Sequence, residues 1–167
     1  MEESLFPPHR NESVIIVDDE PMVGDVVLAI LRMGGFCKTI FFENPMEAYE
    51  RIIHSNPPID LIITDFLMPQ MTGRELIVRV RLAYPNLKTI LYSGNVQEED
   101  AYEKRLRPRD KPNRFLRKPF TPKTLLDLVH TVFSEPPTRY RLKKALRIRS
   151  KRKTGRKSQP SQSMISS

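Results

Sequence analysis

Residues 14–20 read VIIVDDE, a run of four apolar residues followed directly by three acidic ones. The apolar run is typical of a buried strand, and the acidic triplet falls where that strand should end. The arrangement recurs where residues 59–64, IDLIIT, precede Asp65, and residues 114–117 precede Lys118. Because the carboxyl ends of parallel strands meet at one edge of a sheet, we expect these carboxylates and this ammonium group to lie close together.

Short apolar runs alternate with helix-like patterns along the whole chain. Strands are predicted near residues 14–17, 37–42, 59–64, 88–92 and 114–117. The alternation predicts an α/β fold in which right-handed crossovers place helices on both faces of a parallel sheet.

Five helices are predicted, and several carry recognisable end signals. The start signals are Asn44-Pro45, Thr72 with Glu75, and Thr121-Pro122, and the first helix is predicted to stop at Gly34-Gly35. The inner face of the first helix is predicted to consist of Val23, Val26, Val27, Ile30 and Leu31.

The length of 167 residues corresponds to about one domain. No apolar stretch approaches bilayer length and no secretory signal is recognisable, so the protein is predicted to be soluble, cytoplasmic and not transmembrane. The single cysteine, Cys37, excludes an internal disulfide.

The formal charge of +8 is distributed unevenly. From Arg139 onward there are eleven basic and no acidic residues, whereas the preceding part has seventeen basic and twenty acidic ones. The predicted organisation is therefore an N-terminal arm at residues 1–11, a mildly acidic domain at residues 12–135 and a basic tail at residues 136–167.

Carboxylates on neighbouring loops repel one another, so the predicted cluster needs a cation or a bound proton. Mg²⁺ suits it, because this ion binds a few carboxylates together with water and phosphate oxygens. With a metal bound, one carboxylate can attack phosphorus while an ammonium group neutralises the transferring oxygens, and Asp65 and Lys118 suit these two roles. Taken alone, the acidic triplet would instead favour a solvated helix-capping turn, and Lys118 a surface lysine.

Four segments, in this order, resemble the receiver domains of two-component response regulators, including the stand-alone chemotaxis regulator. They are VIIVDDE, LIITDFLMPQMTG, ILYSGN and FLRKPF. The resemblance covers about residues 12–135. It implies a flavodoxin-like, doubly wound, five-stranded parallel sheet with strand order 2-1-3-4-5.

The resemblance also implies a role for each site residue. Asp65 would accept a phosphoryl group from a sensor histidine kinase or a phosphotransfer protein, and Lys118 would contact that group. Asp19 would bind Mg²⁺ directly and Asp18 through water, and the backbone carbonyl of Leu67 would complete the protein ligands beside Asp65. Self-phosphorylation and autodephosphorylation would be the only reactions, without catalysis on a separate substrate.

The same resemblance implies a switch. Ser93 occupies the position whose hydroxyl turns toward the phosphoryl group, and Phe115 the aromatic position that follows it inward. Phosphorylation adds charge and strong acceptor oxygens, which can reorganise nearby loops. The fourth helix, fifth strand and fifth helix would then present the altered face to a downstream protein. Few apolar residues are available to anchor that fourth helix. Pro108 and Pro112 also interrupt its segment.

The basic tail leaves two alternatives open. Its charge suits phosphate backbones or an anionic lipid surface, which predicts a phosphorylation-regulated nucleic-acid-binding protein as the alternative function. Its composition is equally typical of a disordered, solubilising extension.

Overall fold

The computed structural model describes residues 11–94 and 111–136. The chain divides into two units after Pro136, and the described residues all belong to the first. In chain order the elements are β1 (Ser13–Val17), α1 (Pro21–Met33), β2 (Lys38–Phe42), α2 (Pro45–Ile53), β3 (Leu61–Asp65), α3 (Gly73–Ala83), β4 (Lys88–Ser93), β5 (Arg114–Arg117) and α4 (Pro122–Ser134). The helix predicted between the fourth and fifth strands falls outside the described residues.

The five strands form one parallel sheet in the order β2-β1-β3-β4-β5. This confirms the predicted flavodoxin-like fold and its strand order. After β2 the chain returns across β1 to β3, so the direction of winding reverses between β1 and β3. In such sheets ligands bind outside the carboxyl ends of the strands at this reversal.

The central strand β1 explains why an uninterrupted apolar run decides the fold. Val14 and Ile16 pack toward α1 and α4, whereas Ile15 and Val17 pack toward α2 and α3. All four side chains are at most 1% exposed. Because successive side chains of a strand point to opposite faces, a strand covered on both faces needs apolar residues at every position.

Helix α1 corrects one prediction about its inner face. Val26 is 57% exposed, whereas Gly24 is buried. A Cβ atom at Gly24 would lie 2.1 Å from the nearest ring atom of Phe41. The missing side chain therefore admits the Phe41 ring against the helix. The other predicted residues of the inner face are confirmed, since Val27, Ile30 and Leu31 are buried and Val23 packs against the core.

The predicted helix ends are confirmed. Thr72 and Glu75 form a reciprocal capping box at the start of α3, and the Thr121 hydroxyl accepts a hydrogen bond from the Thr124 N–H at the start of α4. After α1, Gly35 has a φ of 88°, a left-handed conformation that glycine adopts without steric cost. These local signals determine the residues at which these helices begin and end.

Candidate functional site

The site lies at the carboxyl edge of the sheet. Asp18 directly follows β1, Asp65 is the last residue of β3, and Lys118 directly follows β5. Asp65 is level with Tyr92 of β4, the strand that lies between β3 and β5. The Lys118 side chain must therefore cross β4 to reach the acidic groups, and its Nζ lies 4.7 Å from the centre of the Tyr92 ring.

The Lys118 ammonium joins three carboxylates. Its Nζ lies 2.8 Å from Asp65 Oδ1, 3.4 Å from Asp18 Oδ2 and 3.9 Å from Glu20 Oε1. The Lys118 side chain is 21% exposed, and Asp65 and Asp18 are buried. The predicted approach of Lys118 to Asp65 and Asp18 is therefore confirmed, and Lys118 is not a free surface lysine.

The acidic triplet does not form a solvated capping turn. Asp18 is completely buried, and its Oδ1 accepts a hydrogen bond of 2.9 Å from the Glu20 N–H. Glu20 occupies the N-cap position of α1 but makes no side-chain capping hydrogen bond, and Asp19 is exposed. The interpretation of the triplet as an ordinary helix cap is wrong, because the Asp18 carboxylate is buried in the protein and the Asp19 carboxylate is exposed to solvent.

Burial and charge shape the ionisation of the pair at the centre. Burial raises the pKa of Asp65 above its usual range, and the Asp18 charge adds to this, while Lys118 opposes it. Burial alone would lower the pKa of Lys118, but the hydrogen bond and charge of Asp65, together with Asp18, raise it. Lys118 therefore remains protonated beside Asp65, whose negative charge is unfavourable in this buried position.

The loop after β3 orients the Asp65 carboxylate. The Leu67 N–H donates a hydrogen bond of 2.8 Å to Asp65 Oδ2, so both carboxylate oxygens are held by protein donors. At the start of α3 a Cβ atom on Gly73 would lie only 2.0 Å from the Asp65 carbonyl oxygen. Glycine is thus required there for the loop to return so closely to the strand end.

The predicted switch residues lie on β4, which pairs with the strand of Asp65, and on β5 beyond it. Ser93 ends β4, is 5% exposed, and its carbonyl oxygen accepts a hydrogen bond of 2.8 Å from the Lys118 N–H. Phe115 lies opposite Leu91 in β5 and is half-buried, packing against the small cluster of Ile77 and Leu91. The peptide between Lys118 and Pro119 is cis.

The donor groups at this edge are compatible with Mg²⁺. Within the described residues no three His, Cys, Asp or Glu side chains are grouped so as to enclose a metal ion, and the Lys118 ammonium lies among the carboxylates instead. Mg²⁺ characteristically binds through one or two carboxylates and retains water or phosphate oxygens as its other ligands. Asp18 and Asp65, which the Lys118 ammonium joins, are carboxylates of this kind at the strand ends.

Tyr92 is a site residue that the sequence analysis missed. Its side chain is completely buried, and its hydroxyl donates a hydrogen bond of 2.6 Å to Asp18 Oδ2. Burial raises the pKa of Tyr92, and the charge of Asp18 adds to this, so the hydroxyl remains a donor. The available signal was a tyrosine among the apolar residues of ILYSGN, directly before Ser93, at a strand end that faces the acidic cluster.

Comparisons with known proteins agree with this geometry. Residues 14–130 match the response regulator receiver domain. The chain is 35% identical over 92 residues to the uncharacterized transcriptional regulatory protein YesN of Bacillus subtilis, which is 54% of this chain and 24% of that protein. It is 29% identical over 124 residues to the response regulator Rre1 of Synechocystis, which is 73% of this chain and 52% of that protein. The chain thus spans about a quarter and about half of these relatives.

A solved structure shows the same architecture. The chemotaxis response regulator CheY4 of Vibrio cholerae superposes with a TM-score of 0.63 at 27% identity, covering 72% of this chain and 98% of that one. No helix among residues 11–94 and 111–136 is long and apolar enough to span a membrane. The match over residues 14–130, the order of the five strands and the similarity to CheY4 together show that this chain belongs to the response regulator receiver domain family of two-component systems.

Proposed function

We propose that Asp65 is the phosphoacceptor of this receiver domain and that a sensor histidine kinase or phosphotransfer protein supplies the phosphoryl group. The observation that carries the proposal is the fixed orientation of one carboxylate beside one ammonium group. Asp65 Oδ1 lies 2.8 Å from Lys118 Nζ, and Oδ2 accepts a hydrogen bond from the Leu67 N–H. A nucleophile held in one orientation avoids much of the entropic cost of reaching phosphorus.

The transfer exchanges one bond for another. A carboxylate oxygen of Asp65 forms a bond to phosphorus while the bond from phosphorus to the donor histidine nitrogen breaks, and the departing imidazole keeps the electron pair. Lys118 stabilises the charge on the transferring oxygens. Mg²⁺, held by Asp19, Asp65 and the Leu67 carbonyl, with Asp18 acting through water, would supply further positive charge there.

Hydrolysis of the resulting acyl phosphate resets the domain, so the proposed chemistry is confined to the protein's own Asp65. Lys118 already pairs with the Asp65 carboxylate, and after transfer it can pair with the added phosphoryl oxygens, which supports this assignment. No separate substrate is required. The kinase partner supports a cytoplasmic location for the reaction.

Partner binding is proposed to change through Ser93 and Phe115. Ser93 is adjacent to Lys118 across the β4–β5 pair, so a phosphoryl group paired with Lys118 would offer the Ser93 hydroxyl an acceptor. Phe115 is half-buried against Ile77 and Leu91, so part of its ring already lies at the surface. The face formed by β5 and α4 would then meet the downstream protein, within a receiver domain at residues 12–135; the further helix predicted for this face falls outside the described residues.

The alternative function rests on the basic tail, residues 136–167, nearly all of which lies outside the described residues. Neither the described geometry nor the similarity to other receiver domains supports binding of nucleic acid or an anionic surface. The receiver function therefore stands as the conclusion.

Intact-mass measurement after incubation with a small acyl phosphate and Mg²⁺ tests the proposal. The natural chain should gain one phosphoryl group, and Asp65→Asn or removal of Mg²⁺ by a chelator should abolish the gain. Asp60→Asn is the matched control, because Asp60 lies at the opposite edge of the sheet and accepts hydrogen bonds from Ser13. Equal phosphorylation of Asp65→Asn and the natural chain would contradict the proposal.

A further inference from the structure

The Asp18 carboxylate is fixed from two sides before any metal binds. Its Oδ1 accepts the Glu20 N–H at 2.9 Å, and its Oδ2 accepts the Tyr92 hydroxyl at 2.6 Å. Lys118 approaches the same Oδ2 at 3.4 Å. A carboxylate with both oxygens engaged by protein donors keeps one orientation and has few directions left for a direct bond to a cation.

Tyr92 makes a second contact with the same site. Its ring centre lies 4.7 Å from Lys118 Nζ and 6.0 Å from the ring centre of Phe120. The ring therefore supports the lysine as it crosses β4 toward Asp65, while the hydroxyl at the far end of the ring anchors Asp18. One side chain thus sets the positions of the ammonium group and of the buried carboxylate.

We infer that Tyr92 is a positioning residue for the divalent metal, because its hydroxyl holds the buried Asp18 carboxylate in the orientation that an outer ligand requires. This inference rests on the proposed function. Hydrogen-bond partners of metal-binding side chains commonly tune metal affinity by about 10-fold to 100-fold when they are removed. In the proposed site the direct ligands are the exposed Asp19 and the buried Asp65, and Tyr92 acts on the metal only through Asp18.

A purely structural role makes a different prediction. A buried tyrosine hydroxyl usually needs an acceptor, and Asp18 would then be no more than a convenient one. In that case loss of the hydroxyl would change protein stability but not metal affinity. The Tyr84 hydroxyl provides the comparison, since it donates a hydrogen bond of 3.0 Å to the Ile53 carbonyl on the other face of the sheet.

The test compares Tyr92→Phe with Tyr84→Phe. Each variant keeps its ring and loses one hydroxyl hydrogen bond, and urea unfolding in the presence of a chelator checks that each is folded. Calorimetric titration with Mg²⁺ should show a dissociation constant about tenfold higher for Tyr92→Phe and within about twofold of the natural chain for Tyr84→Phe. The Mg²⁺ concentration that half-saturates phosphorylation should rise in parallel for Tyr92→Phe and stay unchanged for Tyr84→Phe.

Unchanged or tighter Mg²⁺ binding in Tyr92→Phe would overturn the inference. If the natural chain binds Mg²⁺ and is phosphorylated at Asp65 while Tyr92→Phe behaves identically, only the role of Tyr92 fails. If the natural chain neither binds Mg²⁺ nor accepts a phosphoryl group, the proposed function fails and the inference fails with it.

Discussion

Polar side chains cluster at both ends of the strands, but the two clusters differ in how their charges are balanced. At the amino edge, Asp60 accepts hydrogen bonds from the Ser13 N–H and hydroxyl. Lys88 donates to backbone carbonyls at the end of α4, where the helix dipole favours a cation. Arg81 donates to Thr89 Oγ1 and Asn113 Oδ1 at 2.8 and 3.0 Å.

At the carboxyl edge the carboxylates outnumber their cation. Asp18, Asp65 and Glu20 share the Lys118 ammonium, and burial raises the pKa of Asp65. A polar cluster that is satisfied by protein groups holds the fold together. A cluster with surplus negative charge is instead prepared for a ligand that brings the missing positive charge. Substitutions at each edge should therefore affect different properties.

The largest effect is expected for Lys118→Met, which keeps the length of the side chain but leaves buried carboxylates without their cation. The free energy of unfolding at pH 7 in a chelator should fall by about 3 kcal/mol, and Mg²⁺ should restore part of the loss. Urea unfolding with and without Mg²⁺ measures both. Lys123→Met is the control, because Lys123 pairs with Asp127 on the surface and should contribute less than about 0.5 kcal/mol. Equal losses in the free energy of unfolding of Lys118→Met and Lys123→Met would contradict a surplus of negative charge at the carboxyl edge.

An intermediate effect is expected for Arg81→Met at the amino edge. The buried guanidinium also donates to the Lys111 carbonyl, so its removal deletes three hydrogen bonds, although Asn113 Oδ1 and Thr89 Oγ1 still accept from each other's backbone N–H groups. The free energy of unfolding should fall by about 2 kcal/mol, while the dissociation constant for Mg²⁺ stays unchanged. The same two measurements on Arg79→Met, an exposed position of α3, supply the control. A changed dissociation constant for Mg²⁺ in Arg81→Met would contradict the prediction that substitutions at the two edges affect different properties.

The smallest effect, with the opposite sign, is expected for Asp65→Asn. A carboxyl group whose pKa is higher in the folded than in the unfolded protein destabilises the fold once pH exceeds both values. Because the pKa of Asp65 is raised above 3.8, the neutral amide should increase the free energy of unfolding of the metal-free protein at pH 7. That gain should disappear as pH falls through the raised pKa toward 3.8. Urea unfolding across this range checks it, and a stability loss at pH 7 would refute the sign.

Much of the fold and part of the site could be predicted because they depend on local signals. The run at residues 14–17 is apolar at every position since both faces of β1 are covered, and Thr72 with Glu75 caps its helix through neighbours in sequence. The inner face of α1 was predicted correctly except at Val26 and Gly24, because the burial of Gly24 depends on the Phe41 ring, which packs there from β2.

Tyr92 was missed for a related reason. Its hydroxyl meets a carboxylate 74 positions away in the chain, so only the register of the sheet reveals the contact. The approach of Lys118 to Asp65 was predictable because both follow recognisable strand ends, whereas a side chain inside a strand offers no such marker. The ligand roles of Asp19 and the Leu67 carbonyl, and the switch roles of Ser93 and Phe115, stay predictions.

Locating the phosphoryl group within the chain tests the central claim most directly. The natural chain would be incubated with a small acyl phosphate and Mg²⁺, the acyl phosphate reduced with borohydride, and the reduced position identified by fragment mass spectrometry. The surplus charge at the carboxyl edge predicts that the modified residue is Asp65 and that modification requires Mg²⁺. Modification at Asp18, Asp19 or Asp60 with Asp65 unchanged would contradict the account.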